Sequence, residues 1–431
     1  KNLATYSMND IVEHGSGRYK TVASVATNQA NPIANYRFEK IGNKPINNKT
    51  ISVVSETAQA INGTTVRRII STSKDGSTVF SNQPYAQITE SKDFGLTWTK
   101  ILDLPAAEAS LIEQMDNGEL ILFVTESGPT SNLVRRIYTT VGYGTENVQL
   151  VSRIMSQHDK NYFGGNCGFD AYKNIILATE YGSKYKSDAN PADLSWTNVV
   201  GGNARYVWLS LDYGKTWKVI FDLNTKTDGV GVHIHSSVYD PYWNRIWVHH
   251  GDGATGRNGM YYSDDLGATW VYALQGNAAG ANFSQATCTV VLPDCILFGS
   301  DSAPNGVYRL DRSQGKQPYK GYYQLETAWK HPETSDTLLN AVCYKLAHSR
   351  HAPDMPYIFA FAPESNPTKG TIVATYDGYS FFQLWQDSTT RTAGNGVRHV
   401  VGVTLQNEVI ARVQDDRFGA GVQTELRLKV V

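Results

Sequence analysis

The chain has 431 residues, of which 41% are apolar, 11% aromatic and only 18% charged, with 39 basic against 40 acidic side chains and 37 glycines. That is ample for a large core, and length alone suggests two or three average domains, although all-β folds run longer as one unit. A net charge of -1 gives no global field for nucleic acid or an anionic membrane, and no segment reaches the ~18 uninterrupted apolar residues of a spanning helix, so neither partner is expected.

The chain opens at Lys1 with no apolar leader, which reads as a mature or excised piece of a longer product. Residues 1–60 precede any repeat. Sequons at Asn48, Asn62 and Asn282 do not fix a compartment. Cys167, Cys288, Cys295 and Cys343 lack metal-site spacing and read as buried thiols. From there on, short runs rich in Val, Ile, Tyr, Trp and Leu, closed by Gly, Asn, Asp or Pro, recur to the end, while a 3.6-residue apolar period is rare. Glu119 to Val124, Asn174 to Thr179, Arg245 to His249, Cys295 to Phe298 and Glu408 to Arg412 are examples. The pattern predicts an all-β chain.

One octapeptide, S-x-D-x-G-x-T-W, occurs three times, at Ser91 to Trp98, Ser210 to Trp217 and Ser263 to Trp270. Thr375 to Phe381 is a weaker relative, and Ser73 to Gly76 a weaker one still. Ser and Asp side chains can satisfy turn amides, Gly takes a backbone conformation closed to other residues, and Thr-Trp restarts a strand with an apolar anchor. Asp93, Asp212 and Asp265 therefore read as structural. Around the octapeptide runs a longer plan of four strands, clearest from Gly231 to Leu274, with comparable units opening near Thr65, Ala107, Asn161, Asn282, Leu338 and Gly396. Four-stranded units at this spacing predict one β-propeller over residues 61–431, with seven blades favoured and six the alternative. The last unit is short, so a strand from residues 1–60 is expected to close the ring.

The three octapeptides resemble the Asp-box, or BNR, repeats of the sialidase superfamily, and the whole chain resembles Asp-box propellers among glycosidases, polysaccharide lyases and phage depolymerases. The stretches His233 to Asp252, Cys295 to Asp301 and Gly306 to Arg312 add to the likeness. The resemblance implies an enzyme that cleaves an extended, acidic glycan at the funnel, by hydrolysis or β-elimination. It also implies a secreted, cell-surface or virion-associated protein, a trimer if it belongs to a phage tail. The same scaffold carries unrelated functions, and a non-catalytic carbohydrate-binding or receptor-binding propeller is the alternative. The chain has no Arg-Ile-Pro near its start and no trio of sialidase arginines, which argues against exo-sialidase chemistry.

With the octapeptide joining third and fourth strands on the lower face, the upper face receives the starts of first and third strands and the ends of second strands. That face collects Glu108, Glu126, Arg135, Arg136, Asn166, Glu180, Tyr181, Tyr185 and Arg205 from the second and third units. The fourth unit gives His233, His235, His249, His250, Asp252 and Arg257, the fifth Gln285 and Asp301, and the rest Asn340, Glu364, Asn395, Arg398, His399 and Arg412. Four of ten histidines thus meet at one end of one hairpin, His233 and His235 on the same side of their strand.

Three chemistries fit. In β-elimination, Arg205 or Arg257 neutralises a uronate carboxylate, a neutral His235 or His250 removes the α proton, and Tyr181 protonates the leaving oxygen. In hydrolysis, two carboxylates flank the bond, with Glu180, Asp252, Asp301, Glu126 and Glu364 as candidates. Neither needs a cofactor. The third places a divalent metal on His233, His235 and His250. His233, Tyr185, Arg257, Asn166, Asp301, Asn340, Arg398 and His399 are the expected glycan contacts.

Overall fold

A computed structural model describes residues 11–14, 17–25, 35–43, 50–62, 67–104, 107–127, 133–140, 148–152, 168–180, 205–226, 232–251, 259–275, 285–300, 304–317, 323–332, 341–347, 356–363, 368–388, 396–414 and 423–431. All regular structure in them is β apart from two single 3-10 turns at Leu223–Thr225 and Arg312–Gln314. No helix among them is long and apolar enough to cross a membrane.

The strands form seven four-stranded antiparallel sheets that follow one another along the chain. Blade 1 holds Ile69–Thr72, Val79–Ser81, Gln87–Ser91 and Thr99–Asp103; blade 2 holds Ala107–Gln114, Leu120–Ser127, Leu133–Thr140 and Val148–Ser152. Blade 3 holds Phe169–Tyr172, Ile175–Thr179, Tyr206–Ser210 and Lys218–Asp222, and blade 4 His233–Asp240, Arg245–Gly251, Gly259–Ser263 and Val271–Gln275. Blade 5 holds Ala286–Val291, Cys295–Ser300, Gly306–Asp311 and Glu326–Lys330, and blade 6 Ala341–Ala347, Tyr357–Pro363, Thr371–Thr375 and Phe382–Gln386. Blade 7 takes Gly396–Val403, Glu408–Gln414 and Gln423–Val430 from the C-terminus and completes itself with Val53–Ala60. Ile11–His14, Gly17–Val25 and Asn35–Asn43 form a separate three-stranded meander.

First strands of successive blades touch one another from blade 3 round to blade 7 and on through blade 1 to blade 2, and Leu111 of blade 2 shares an apolar cluster with Ala171 of blade 3, so they line the axis of a closed propeller. The core is divided between the blades. Phe80 and Ile88 pack on Ile112 and Leu122 between blades 1 and 2, and Val207 and Phe221 on Ile234 and Val248 between blades 3 and 4. Trp247 and Tyr262 meet Phe298 and Leu310 between blades 4 and 5, Cys295 and Leu297 meet Phe359 and Phe361 between 5 and 6, and Ile69 and Val79 meet Ile410 where blade 7 returns to blade 1. Alternate residues of each strand thus serve two different neighbours, which explains strands that are buried on both faces, such as Cys295–Ser300.

The octapeptides join third to fourth strands in blades 1, 3 and 4 with one hydrogen-bond pattern. Asp93 accepts from Ser91 Oγ (2.6 Å), the Thr97 amide (2.8 Å) and Thr97 Oγ1 (2.5 Å), while the Gly95 amide donates to Ser91 Oγ (2.6 Å). Asp212 and Asp265 repeat the arrangement with Ser210 and Thr216 and with Ser263 and Thr269. The residue before each glycine and the glycine itself have positive φ, 59° at Tyr213 and 80° at Gly214, which is why the second position is glycine. Thr375 to Phe381 occupies the equivalent turn of blade 6, its Asp377 accepting from the Tyr379 and Ser380 amides. Ser73 to Gly76 has similar chemistry, Ser73 Oγ donating to Asp75 Oδ1 at 2.7 Å, yet it joins first and second strands of blade 1. It lies on the same lower face but is no counterpart of the octapeptide.

The donors around Asp93 and Asp265 favour the ionised form and hold both carboxyls down at about 2. Their contribution to stability is complete above about pH 4, the unfolded value, and is lost as pH falls toward 2. Asp212→Ala, which strands the Thr216 amide and two hydroxyls, is expected to cost about 1–3 kcal/mol in thermal or urea unfolding and to leave ligand binding at the opposite face unchanged.

Candidate functional site

The third and fourth blades carry much of the described part of the upper rim. At the end of the second strand of blade 3, the Glu180 amide donates to the Tyr206 carbonyl (2.9 Å), and Trp208 Nε1 donates to Glu180 Oε1 (2.9 Å). Tyr206 and Trp208 alternate to the same face, and Tyr206 lies opposite Asp222 on the outermost strand. Glu180 is 0% exposed and its Oε2 is buried with no hydrogen-bond partner. Burial pushes its carboxyl up to about 8, the Trp208 and Tyr206 bonds hold it back, and Asp222 adds to the rise. Glu180 is therefore a protonated acid at neutral pH.

Arg205 belongs to the other face of the same sheet. Its Nε and Nη2 donate to Asn224 Oδ1 (2.9 and 2.6 Å), its Nη1 donates to the Val232 carbonyl (2.8 Å), and it is 0% exposed. Burial holds its pKa down to about 10. Arg205, expected to meet a substrate carboxylate, thus has a guanidinium that is closed in and bonded to the residue before His233.

In blade 4 the pairing of Ile234 with His250 and of Ser236 with His249 leaves His235 as the extra residue of a bulge. The His233 and His235 rings lie 5.1 Å apart. His235 rests against Gly251 and Gln285: a Cβ on Gly251 would collide with the His235 ring and sit 2.7 Å from Gln285 Oε1. A glycine is required there by close approach. His249 packs on Phe298 of blade 5 (5.0 Å), whereas His250 turns toward blade 3, 5.5 Å from Tyr261 and stacked on Tyr272 at 6.2 Å. His249 Nε2 and both nitrogens of His250 are buried without partners. Burial first, then neighbouring charge (His250 and His235 for His249, His235 and Arg205 for His250), lowers both to about 3, so both rings are neutral and weakly basic.

Among the described residues no group of three His, Cys, Asp or Glu is placed to hold an ion; of the three histidines named as alternative metal ligands, the His233 and His235 rings lie together while His250 stacks on Tyr272.

Of the other expected site residues, Tyr181, Asp252, Tyr185, Arg257, Asn166, Asp301 and Asn340 lie outside the described residues, as do the side chains of Arg398 and His399 in the first strand of blade 7. Asp93, Asp212 and Asp265 are in the lower-face turns. Trp208 and Asp222 are additions. Trp208 follows from alternation with Tyr206, and Asp222 from the rule that fourth strands end on the upper face, a position the sequence reading left out.

In comparison with known proteins, the sequence matches no family model and no curated protein. Solved structures with a similar course include YCF48 from Cyanidioschyzon merolae, at 10% identity over 85% of this chain and 98% of that one, with a TM-score of 0.47. A streptogramin B lyase structure shares 10% identity over 87% and 97% of the two chains, TM-score 0.49. An oligogalacturonate lyase in complex with manganese shares 11% over 67% and 72%, TM-score 0.41.

Glu180 binds its proton more tightly when folded, so its burial opposes folding increasingly as pH rises from about 4.3, the unfolded value, toward 8. His249 and His250 act in the opposite sense: their neutral burial stabilises above about pH 6.5 and is lost as pH falls toward 3. Glu180→Gln keeps a hydrogen-bonding side chain without the titration. Its stability gain over the wild type is expected to grow with pH between these limits, by up to about 1.4 kcal/mol per unit, in chemical unfolding at stepped pH. A gain independent of pH would mean that Glu180 is ionised throughout.

Proposed function

We propose that the upper face cleaves glycosidic bonds of an extended, acidic glycan by hydrolysis, with Glu180 delivering the proton to the leaving oxygen. The observation that carries this reading is a carboxyl held protonated at about 8, with one oxygen anchored to Trp208 and the other without a partner. A general acid works best when its pKa lies near the working pH, and a raised carboxyl is the usual solution for glycoside cleavage. Asp222 is the second carboxylate. It lies opposite Tyr206 on the outermost strand, two strands from Glu180, and its Oδ1 also accepts from the Asn224 amide (2.9 Å).

The buried histidines support hydrolysis over elimination. Imidazoles held near 3 are poor acceptors for the α proton of a uronate, so His250 has the weaker claim to be the base. A second reading, a propeller that only binds glycans, is favoured by the complete burial of Glu180 and Arg205. Either reading suits a secreted or surface-exposed protein.

The test is a screen of acidic polysaccharides that follows new reducing ends together with the absorbance of unsaturated uronates. Hydrolysis predicts reducing ends without that absorbance, activity that falls above about pH 8 as Glu180 loses its proton, and a loss of about 10²–10⁴-fold in Glu180→Gln. Unsaturated products would replace hydrolysis by elimination. Glycan binding with neither signal would leave the binder.

A further inference from the structure

Across the ring from Glu180, blade 7 returns to blade 1, and near the end of its second strand stands Arg412, whose Nε has no hydrogen-bond partner. Arg412 stands two residues beyond Ile410, which packs on Ile69 and Val79 of blade 1. It shares the face of Ile410 and lies one step nearer the upper rim. Its Nε is buried without a hydrogen-bond partner, while the residue as a whole remains partly open to solvent. The carboxylate directly opposite on the next strand, Glu425, is turned away to Arg427, whose Nε and Nη2 each donate to Glu425 Oε1 at 2.7 Å.

A second cation, Arg68, is near enough to act on the charge of Arg412. Arg68 immediately precedes Ile69, with its Nε donating to Asn82 Oδ1 (3.1 Å) and its amide to Gln83 Oε1 (2.5 Å). Burial, and then the like charge of Arg68, holds the Arg412 pKa down to about 9. A guanidinium whose Nε is buried without an acceptor, beside another positive charge, is unfavourable in the free protein. An anion supplies the acceptor that Arg412 Nε lacks, and the planar fork of a guanidinium matches the oxygens of a carboxylate or sulfate.

We propose that Arg412, supported by Arg68, is an anion subsite at the junction of blades 7 and 1 that takes an acidic group of the glycan, either a uronate carboxylate or a sulfate ester. This deepens the reading of the upper face as a glycan site and names the group that the face selects.

The subsite is tested by thermal melting and calorimetry of the whole chain in chloride at fixed ionic strength, with sodium glucuronate or sodium sulfate replacing chloride at low millimolar concentration. The wild type is expected to gain stability from one of the two anions. A response to glucuronate alone identifies a carboxylate, and a response to sulfate alone a sulfate ester. Arg412→Met is expected to melt higher than the wild type in chloride, because it removes an unpaired charge, and to lose the anion response. An arginine that merely supports the fold would give the opposite, a lower melting point. Equal responses in both proteins, or none in the wild type, would overturn the proposal. Should Arg412→Met not fold, Arg412→Lys retains the charge without the fork and is expected to bind the anion about tenfold more weakly; unchanged affinity would overturn the subsite. Anion binding without cleavage of any glycan would leave the subsite and remove the hydrolase, whereas cleavage of glycans with no anion response would do the reverse.

Discussion

The pairing of Val53–Ala60 with Gln423–Val430 is the constraint on which the rest depends. Each blade is a small sheet with two apolar faces, and neither face can be left to water. Packing blade on blade solves this for five of the seven at once, but an open row would still expose one face of blade 1 and one of blade 7, together with an unpaired strand edge. Seating a strand from before blade 1 as the outermost strand of blade 7 ties the chain ends together and brings Ile410 onto Ile69 and Val79. The buried Asp240–Arg312 pair, with two bonds of 2.8 and 2.9 Å from a turn of blade 4 to blade 5, shows the same demand met by polar groups on the lower face.

Closure has a chemical consequence at the upper face. Strand ends that would be solvated in a single sheet are pressed between neighbouring blades, so polar residues there are dehydrated whether or not they find partners. Arg205 finds Asn224 and the Val232 carbonyl and becomes a fixture. Glu180 finds one donor and keeps its proton; His249 and His250 find none and lose theirs. One physical cause, burial, thus produces an acid that is charged only with difficulty and bases that are charged only with difficulty. Both kinds of group are thereby held in their neutral forms.

The lower face was legible in the sequence because its chemistry is local. Ser91, Asp93, Gly95 and Thr97 bond within one turn, so the spacing S-x-D-x-G-x-T carries the whole pattern. Ser73 to Gly76 shows the limit: the same side chains build a turn elsewhere in the blade, and four residues cannot say which. The alternation that groups His233 with His235, and that separates His249 from His250, was also readable. The bulge at His235 was not, since it arises from the pairing with the next strand and from the space above Gly251. Nor was the fate of Arg205, whose partners are 19 and 27 residues away, Asn224 in the turn that follows blade 3 and Val232 at the start of blade 4.

The central claim is that the crevice of blade 3 keeps Glu180 as a neutral acid at physiological pH. Infrared difference spectroscopy of the wild type against Glu180→Gln reads this directly, through the carbonyl stretch of a protonated carboxyl group. The account predicts that the band is present at pH 7 and gives way to carboxylate bands with a midpoint near 8. A difference spectrum that shows only carboxylate at pH 7, with the proton lost near the ordinary value of about 4.3, would contradict it.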